Sequence, residues 1–104
     1  MNNVKNIRVS RTPVNLTQEL SLETGDVWGV VNDSNGWKVE IAELDDGETL
    51  DENASWAPIY PISSRQENMR SFVQDGGKSV YIRSSDDTIH PELEVANVVL
   101  FKGQ

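Results

Sequence analysis

The sequence has no cysteine, and His90 is the single histidine among its 104 residues. The absence of cysteine excludes disulfide bonds, thiolate zinc sites and cysteine nucleophiles. One histidine cannot build a multi-histidine metal site, and the sequence contains neither a Gly-X-Ser-X-Gly nucleophile elbow nor a phosphate loop ending in Gly-Lys-Ser/Thr. We therefore expect no enzymatic activity and no bound cofactor, and we interpret His90 as an ordinary loop residue.

Long apolar segments and basic residues are also scarce. No stretch reaches the about 7–15 apolar residues of a signal-peptide core or the about 18 of a membrane helix. Nine basic residues stand against 17 acidic ones, so the net charge is −8, and a surface with this balance repels phosphate backbones. We expect a protein made in the cytoplasm that binds neither membranes nor nucleic acid.

Acidic side chains are concentrated in residues 43–52. Carboxylate oxygens are ligands for calcium, but Gly47 follows Asp45 by two residues, whereas an EF-hand loop places its glycine five residues after the first ligand. We interpret the segment as a solvated acidic loop. Weak calcium binding there stays open.

The composition favours strands. Twelve valines, six isoleucines and five threonines outnumber seven leucines and four alanines, and β-branched side chains fit a pleated surface better than a helix. Trp37, Val39 and Ile41 alternate with the charged residues Lys38 and Glu40, which predicts a half-buried strand over 37–44. Residues 26–31 are apolar on both faces, which predicts a more central strand. Further strands are predicted over 16–22, 70–73, 79–83 and 93–101.

Two clusters of turn-forming residues separate these strands. Residues 32–36 end in Asn-Gly and residues 75–77 are Asp-Gly-Gly, and glycine supplies the positive φ angles that tight turns need. We interpret each cluster as a hairpin loop. Pro58 and Pro61 confine an extended segment at 56–62 to a sheet edge, and the one helical candidate is a turn at 64–68.

Short strands and turns without a long helical period predict an all-β fold, namely an antiparallel β-sandwich or barrel that is jelly-roll-like. We expect no helix longer than two turns. Residues 15–104 are predicted to form this single domain. Residues 1–14, with Pro13 and few large apolar groups, are predicted to form an extended N-terminal arm.

The predicted arm differs in charge from the rest of the chain, because it holds three of the nine basic residues and no acid. Alternation of Ile7 and Val9 with polar residues would let the arm add a strand to the sheet of a neighbouring subunit. We therefore predict partner contacts at the following arm residues: Val4, Ile7, Arg8, Val9 and Arg11.

The aromatic residues have two interpretations, core packing and partner contact. Trp37 shares the phase of Val39 and Ile41 and is assigned to the core, whereas Tyr81 is out of phase with its apolar neighbours and is placed on an outer face. Trp56 and Tyr60, in the proline-containing segment, are predicted to contact a partner.

Several segments of the chain resemble a type of small all-β protein found among the virion proteins of tailed bacteriophages. The resemblance begins with Leu-Glu-Thr-Gly-Asp-Val-Trp at residues 22–28 and an Asn-Asp-Ser turn at 32–34. It continues through the strand at 39–43, the stretch at 79–85 and a closing strand that starts at 93–96. It covers about residues 16–98 and carries no catalytic residue.

The resemblance implies a structural part of a virion, most simply a capsid decoration or cement protein that docks on the capsid shell as an oligomer. The implied partners are the major capsid protein or other virion proteins, and a homotrimer would match the local threefold points of a capsid lattice. The alternative is a carbohydrate- or receptor-binding module of a tail or head fibre that uses Trp56, Tyr60 and Tyr81. A flat apolar patch would favour assembly, and exposed aromatic residues around a groove would favour the binding module.

Overall fold

The computed structural model describes residues 3–34, 36–45, 48, 50, 54–85 and 96–103. These residues form eight strands and one short helix. In chain order the elements are β1 (Asn3–Val9), β2 (Val14–Asn15), α1 (Leu16–Glu19), β3 (Val27–Asn32), β4 (Val39–Asp45), β5 (Ala57–Ile59), β6 (Met69–Val73), β7 (Lys78–Ser84) and β8 (Ala96–Lys102).

The strands make two four-stranded antiparallel sheets packed as a sandwich. Sheet A has the order β1-β8-β3-β6, and sheet B has the order β2-β7-β4-β5. The described strands do not close into a barrel, so the sandwich is the correct one of the two predicted architectures. Strands pair from the two ends of the chain inwards, β1 with β8, β2 with β7, β3 with β6 and β4 with β5. Every connection except that from β4 to β5 therefore passes from one sheet to the other.

The core lies between the sheets and is built by alternate residues of each strand. Trp28, at the centre of sheet A, is fully buried and stacks on Phe72 with ring centroids 4.6 Å apart. Trp37 packs against this core from its rim, as its phase predicted. The buried core residues are Val9, Leu16, Leu20, Trp28, Val30, Val39, Ile41, Ile59, Val80, Ile82, Ala96, Val98 and Leu100.

The hairpin predicted at residues 32–36 is wrong, because β3 belongs to sheet A and β4 to sheet B. Gly36 does adopt a positive φ of 98°, but the turn carries the chain across the sandwich. Asn32 makes this crossing possible. Its buried amide donates to the carbonyl oxygens of Trp37 (2.8 Å) and Ile59 (3.0 Å), and its Oδ1 accepts from the backbone N–H and hydroxyl of Ser34.

The hairpin predicted at residues 75–77 is wrong for the same reason, since β6 lies in sheet A and β7 in sheet B. Gly77 has the expected positive φ of 79°. Gln74 is buried at this crossing, and its Nε2 donates to the carbonyl oxygens of Asp75 (2.9 Å) and Lys78 (2.7 Å). At both crossings, a buried side-chain amide at the point where the chain leaves sheet A donates hydrogen bonds to backbone carbonyl oxygens.

The N-terminal segment is not shown as an arm. Residues 3–9 form β1, which pairs along its whole length with β8 of the same chain, from Asn3 opposite Lys102 to Val9 opposite Ala96. The alternation that predicted an added strand is therefore real, but the strand is added to its own sheet. Burial of Val9 in the core explains this pairing, because an arm docked elsewhere would leave that side chain and one edge of β8 exposed.

The strand predicted over 16–22 is also wrong, because residues 16–19 form the helix α1. Leu16 and Leu20 are spaced by four residues and both point into the core, and the side chain of Asn15 caps the helix by accepting from the N–H of Gln18 at 3.1 Å. The helical turn predicted at 64–68 is absent from that segment, which contains only bends. The prediction for the proline segment is confirmed, since β5 is an edge strand of sheet B.

Candidate docking surface

The outward side of sheet A is apolar and exposed. Opposed residues of antiparallel strands point to the same side, so the register places Val27 opposite Val73 and Val31 opposite Met69 on this side. Val73 is 65% exposed, Val27 50% and Met69 48%. We call this surface the apolar face, and its outward positions are Val4, Asn6, Arg8, Val27, Gly29, Val31, Met69, Ser71, Val73, Asn97, Val99 and Phe101.

The apolar face is nearly uncharged and its centre is filled. Among its outward positions Arg8 is the one charged residue, and none is Asp or Glu. The ring of Phe101 lies directly over Gly29, where a Cβ atom would overlap it. Because glycine leaves this space, the ring lies down on the sheet between β8 and β3, which flattens the surface.

The outward side of sheet B has the opposite character. Register pairs Glu40 with Arg83 on this side, and Glu40 also lies opposite Pro58 of the edge strand. We call this surface the charged face, and its side chains include Arg11, Lys38, Glu40, Trp56, Tyr60, Tyr81 and Arg83.

Glu40 is the centre of the charged face. One carboxylate oxygen lies 2.5 Å from Nε of Arg83 and 3.5 Å from a guanidinium nitrogen of Arg11, which also donates to the carbonyl oxygen of Ser84 at 2.7 Å. The three charged side chains are only 17–23% exposed. They satisfy one another within a single chain.

A cation lies over two of the aromatic rings of the charged face, those of Trp56 and Tyr60. The guanidinium carbon of Arg83 lies 3.8 Å from the centre of the Trp56 ring, and the ammonium of Lys38 lies 5.7 Å from that of Tyr60. Such contacts stabilise the folded chain, but they occupy ring faces that a sugar would need for stacking. The half-buried hydroxyl of Tyr81 accepts from the side chain of Asn15 at 3.3 Å.

The structure separates the residues predicted from the sequence to contact a partner. Val4 and Arg8 lie on the apolar face, whereas Val9 is buried in the core and Ile7 packs against it. Val9 therefore cannot contact a partner, because its side chain has no accessible surface. The other three predicted residues, Arg11, Trp56 and Tyr60, lie on the charged face.

Sequence reasoning missed most of the apolar face. Its exposed members Val27 and Val73 were assigned to strands but not to a contact surface, and Met69 was assigned to neither. The signal was present in β3, which is apolar on both sides although only one side of it faces the core. Val31 and Val99 carry the same signal, since they alternate with the buried Val30 and Val98.

A cleft of about 540 Å³ lies at the crossing from β6 to β7, lined mainly by polar residues that include Glu23, Gln74, Asp75 and Lys78. No group of three or more His, Asp or Glu side chains that could hold a metal ion occurs among the described residues. His90 and much of the acidic segment 43–52 lie outside them. No helix among the described residues is long and apolar enough to span a membrane.

One carboxylate has a shifted pKa. Asp26 precedes β3 and accepts from the backbone N–H of Glu23 at 2.8 Å, and the ammonium of Lys102 lies 3.2 Å from the same oxygen. First the backbone hydrogen bond and then the Lys102 contact lower the pKa of Asp26 below its ordinary value of 3.8. Because the ionised form is held by these donors, Asp26 has a structural role at the end of sheet A.

Comparisons with models of known protein families, with curated proteins and with solved structures found no match to this chain.

Proposed function

We propose that the chain is a structural subunit of a tailed-bacteriophage particle, a capsid decoration or cement protein that docks on the capsid shell as an oligomer. Its partners are then the major capsid protein or other virion proteins, its location is the virion, and it has no catalytic activity. The choice of particle comes from the sequence resemblance over residues 16–98.

The observation that carries the assembly part is the apolar face. The largest apolar patch on the surface of a soluble protein is often functional, and an apolar patch rimmed by polar residues is typical of protein–protein contact. Covering a half-exposed Val or Met side chain contributes about 1 kcal/mol, so the exposed residues Val4, Val27, Met69 and Val73 favour a bound state together.

The strand order gives further support. Pairing of β1 with β8, β2 with β7, β3 with β6 and β4 with β5 is the order of a jelly roll, in which one long hairpin of strands is wrapped into two sheets. Viral capsid proteins and lectins both use this architecture, so the order agrees with a virion role by analogy alone. The cations that cover Trp56 and Tyr60 favour assembly over the carbohydrate-binding alternative.

The proposal is tested on purified particles. Virions of the phage that encodes the chain should contain it in a fixed ratio to the major capsid protein, and particles assembled without it should bind the purified protein in a co-sedimentation assay. Absence of the chain from purified virions, or failure to bind such particles, would refute the proposal.

A variant pair tests whether the apolar face takes part. Val73→Asp places a carboxylate on the apolar face, and we expect it to weaken particle binding by about tenfold or more. Ile62→Asp is the matched control, because Ile62 is 53% exposed but lies in the loop after β5. Equal binding by the two variants would exclude the apolar face from docking.

A further inference from the structure

We propose that the apolar face is covered by the apolar face of a second copy of the chain, so that two copies pair sheet to sheet about a twofold axis. This inference rests on the proposed function, in which an oligomer is the docking unit, and it names the occupant of the surface that carries that function.

The distribution of charge favours a second copy. A chain with a net charge of −8 is repelled by its own copies over most of its surface. The outward positions of sheet A contain no acid, and their single cation, Arg8, lies on the edge strand β1. Two such faces can approach without burying an unpaired carboxylate, whereas the charged face would have to bury the ion pairs of Glu40.

The shape of the face also fits a copy of itself. Flat sheet faces pack on one another about 10 Å apart with their strands within about 30°. Phe101 lies flat over Gly29 at the centre of the face, so no side chain there stands out and blocks such packing. The partner face has the same twist and the same row of Val and Met side chains because it is the same sequence.

The area of the face predicts a weak pair. Four strands about 4.8 Å apart and seven residues at about 3.3 Å give a surface of about 19 by 23 Å, or roughly 450 Å² in projection. Standard interfaces bury about 800 Å² on each partner, and smaller ones belong to transient complexes. We therefore expect a weak, reversible pair in solution, with pairing enhanced when copies are held close together on a particle.

A face that contacts itself closes after two copies. The homotrimer expected from the sequence would instead need two different surfaces on each chain. The apolar face accordingly favours a dimer.

The experiment is sedimentation equilibrium of the full chain between about 1 and 500 µM, with circular dichroism to check that each variant is folded. We expect wild type to change from monomer to dimer over this range. Val73→Asp and Val27→Asp should each weaken dimerisation by about tenfold or more, because each would place a carboxylate inside an apolar contact. Ile62→Asp should dimerise like wild type.

Three results would overturn the pairing. These are a wild type that stays monomeric at all concentrations, a trimer, and a dimer that neither Val73→Asp nor Val27→Asp weakens. Particle binding separates this failure from that of the function. A monomer that binds particles through the apolar face would refute the pairing and keep the proposed function, whereas a dimer that binds no particle would refute the function and keep the pairing.

Discussion

The two outer faces of the sandwich differ in whether a single chain can satisfy them. On the charged face, Glu40 forms ion pairs with Arg11 and Arg83, and cations lie over the rings of Trp56 and Tyr60. The apolar face has no such internal partners for Val27, Val73 and Met69. The side chains of the charged face therefore find partners within one chain. The exposed side chains of the apolar face would be removed from water only if another protein covered them.

The contrast shows that the aromatic residues predicted to contact a partner lie on the charged face, whereas the exposed apolar side chains lie on the opposite face of the sandwich. Trp56 and Tyr60 were predicted to contact a partner because aromatic residues are frequent in interfaces, yet in the fold Trp56 packs against the largely buried Arg83 and Tyr60 lies under the exposed Lys38. The apolar face consists mainly of valines that, in the sequence, look like ordinary strand residues. Their exposure becomes visible only when the register shows which side of sheet A they occupy.

The largest effect is expected at the crossing from β3 to β4, where a buried side chain holds the chain as it passes between the sheets. Asn32→Ala removes a buried side chain that makes hydrogen bonds to Trp37, Ile59 and Ser34. We expect the free energy of unfolding to fall by about 3 kcal/mol. Urea denaturation measures the change.

Gln74 gives the matched comparison at the crossing from β6 to β7. It donates two hydrogen bonds like Asn32, but its Oε1 is buried without a partner among the described residues. Gln74→Ala should therefore cost less, about 1–2 kcal/mol, and Asn6→Ala on the apolar face should change stability by less than about 0.5 kcal/mol. An equal loss at Asn32 and Asn6 would contradict the role of the buried amide.

The second effect separates stability from association. Glu40→Gln removes the negative charge that the half-buried guanidinium groups of Arg11 and Arg83 both contact, so we expect a loss of about 2 kcal/mol in the free energy of unfolding and no change in dimerisation. Val73→Asp should do the reverse. The control is Glu67→Gln, since Glu67 is 68% exposed and 3.7 Å from Arg70, and exposed pairs contribute about 0–1 kcal/mol. If Glu40→Gln also dimerised more weakly than wild type, the charged face would contribute to association, which would contradict the assignment of pairing to the apolar face alone.

The third effect concerns the shape of the apolar face. Gly29→Ala puts a methyl group where the ring of Phe101 lies, and such overpacking costs about 1–3 kcal/mol. Phe101→Leu removes the ring, so the double variant should be more stable than the sum of the single changes predicts. Urea denaturation of the four chains measures this coupling. Strict additivity would show that the ring moves away from Gly29 without cost.

Much of the fold could be predicted because most strands are encoded locally. The alternation over 37–44 located β4, and Pro58 located an edge strand, since each depends on residues within the segment. Pairing was not local. A turn formed by residues 32–36 is compatible both with a hairpin and with a crossing between sheets, and the difference lies in whether Asn32 is buried against Ile59, 27 residues further along.

Two further errors have the same origin. Leu16, Leu20 and Leu22 fit an alternating pattern, but the Asn15 cap and the four-residue spacing of the first two leucines favour a helical turn. Residues 1–14 were assigned to an arm because they are basic and contain Pro13. The partner of β1 lies at the other end of the chain, in residues 96–102, and no local pattern reveals a pairing over that distance.

The candidate surface could be predicted least. A valine that faces the core and a valine that faces outwards have the same local sequence signal, so residues such as Val31 and Val30 are distinguished only by the sheet that forms around them. Apolar residues on both sides of β3 predicted a central strand, and β3 is central in sheet A. A central strand is covered on both sides only where another layer packs on each side of its sheet. The sandwich has two layers, so the outward side of β3 stays exposed. The number of layers cannot be read from the sequence of one strand.

The smallest effect is expected from the ion pair at the end of sheet A and depends on pH. Donors from Glu23 and Lys102 lower the pKa of Asp26 in the folded chain. A carboxyl whose pKa is lower in the folded than in the unfolded chain adds stability above its unfolded pKa, and this stability is lost as the pH falls through the folded value. The difference in stability between wild type and Asp26→Asn should therefore be constant near neutral pH and shrink below about pH 4. Urea midpoints measured from pH 7 to about pH 2.5 give this difference.

Lys102→Met is the comparison variant. It removes the Lys102 ammonium, the weaker of the two causes that lower the pKa of Asp26, and keeps the hydrogen bond from the Glu23 N–H. It should therefore retain most of the pH dependence that Asp26→Asn removes. If the Lys102→Met and Asp26→Asn curves coincide, the ammonium rather than the backbone donor holds the carboxylate, and the end of sheet A behaves like the charge-paired side of the molecule.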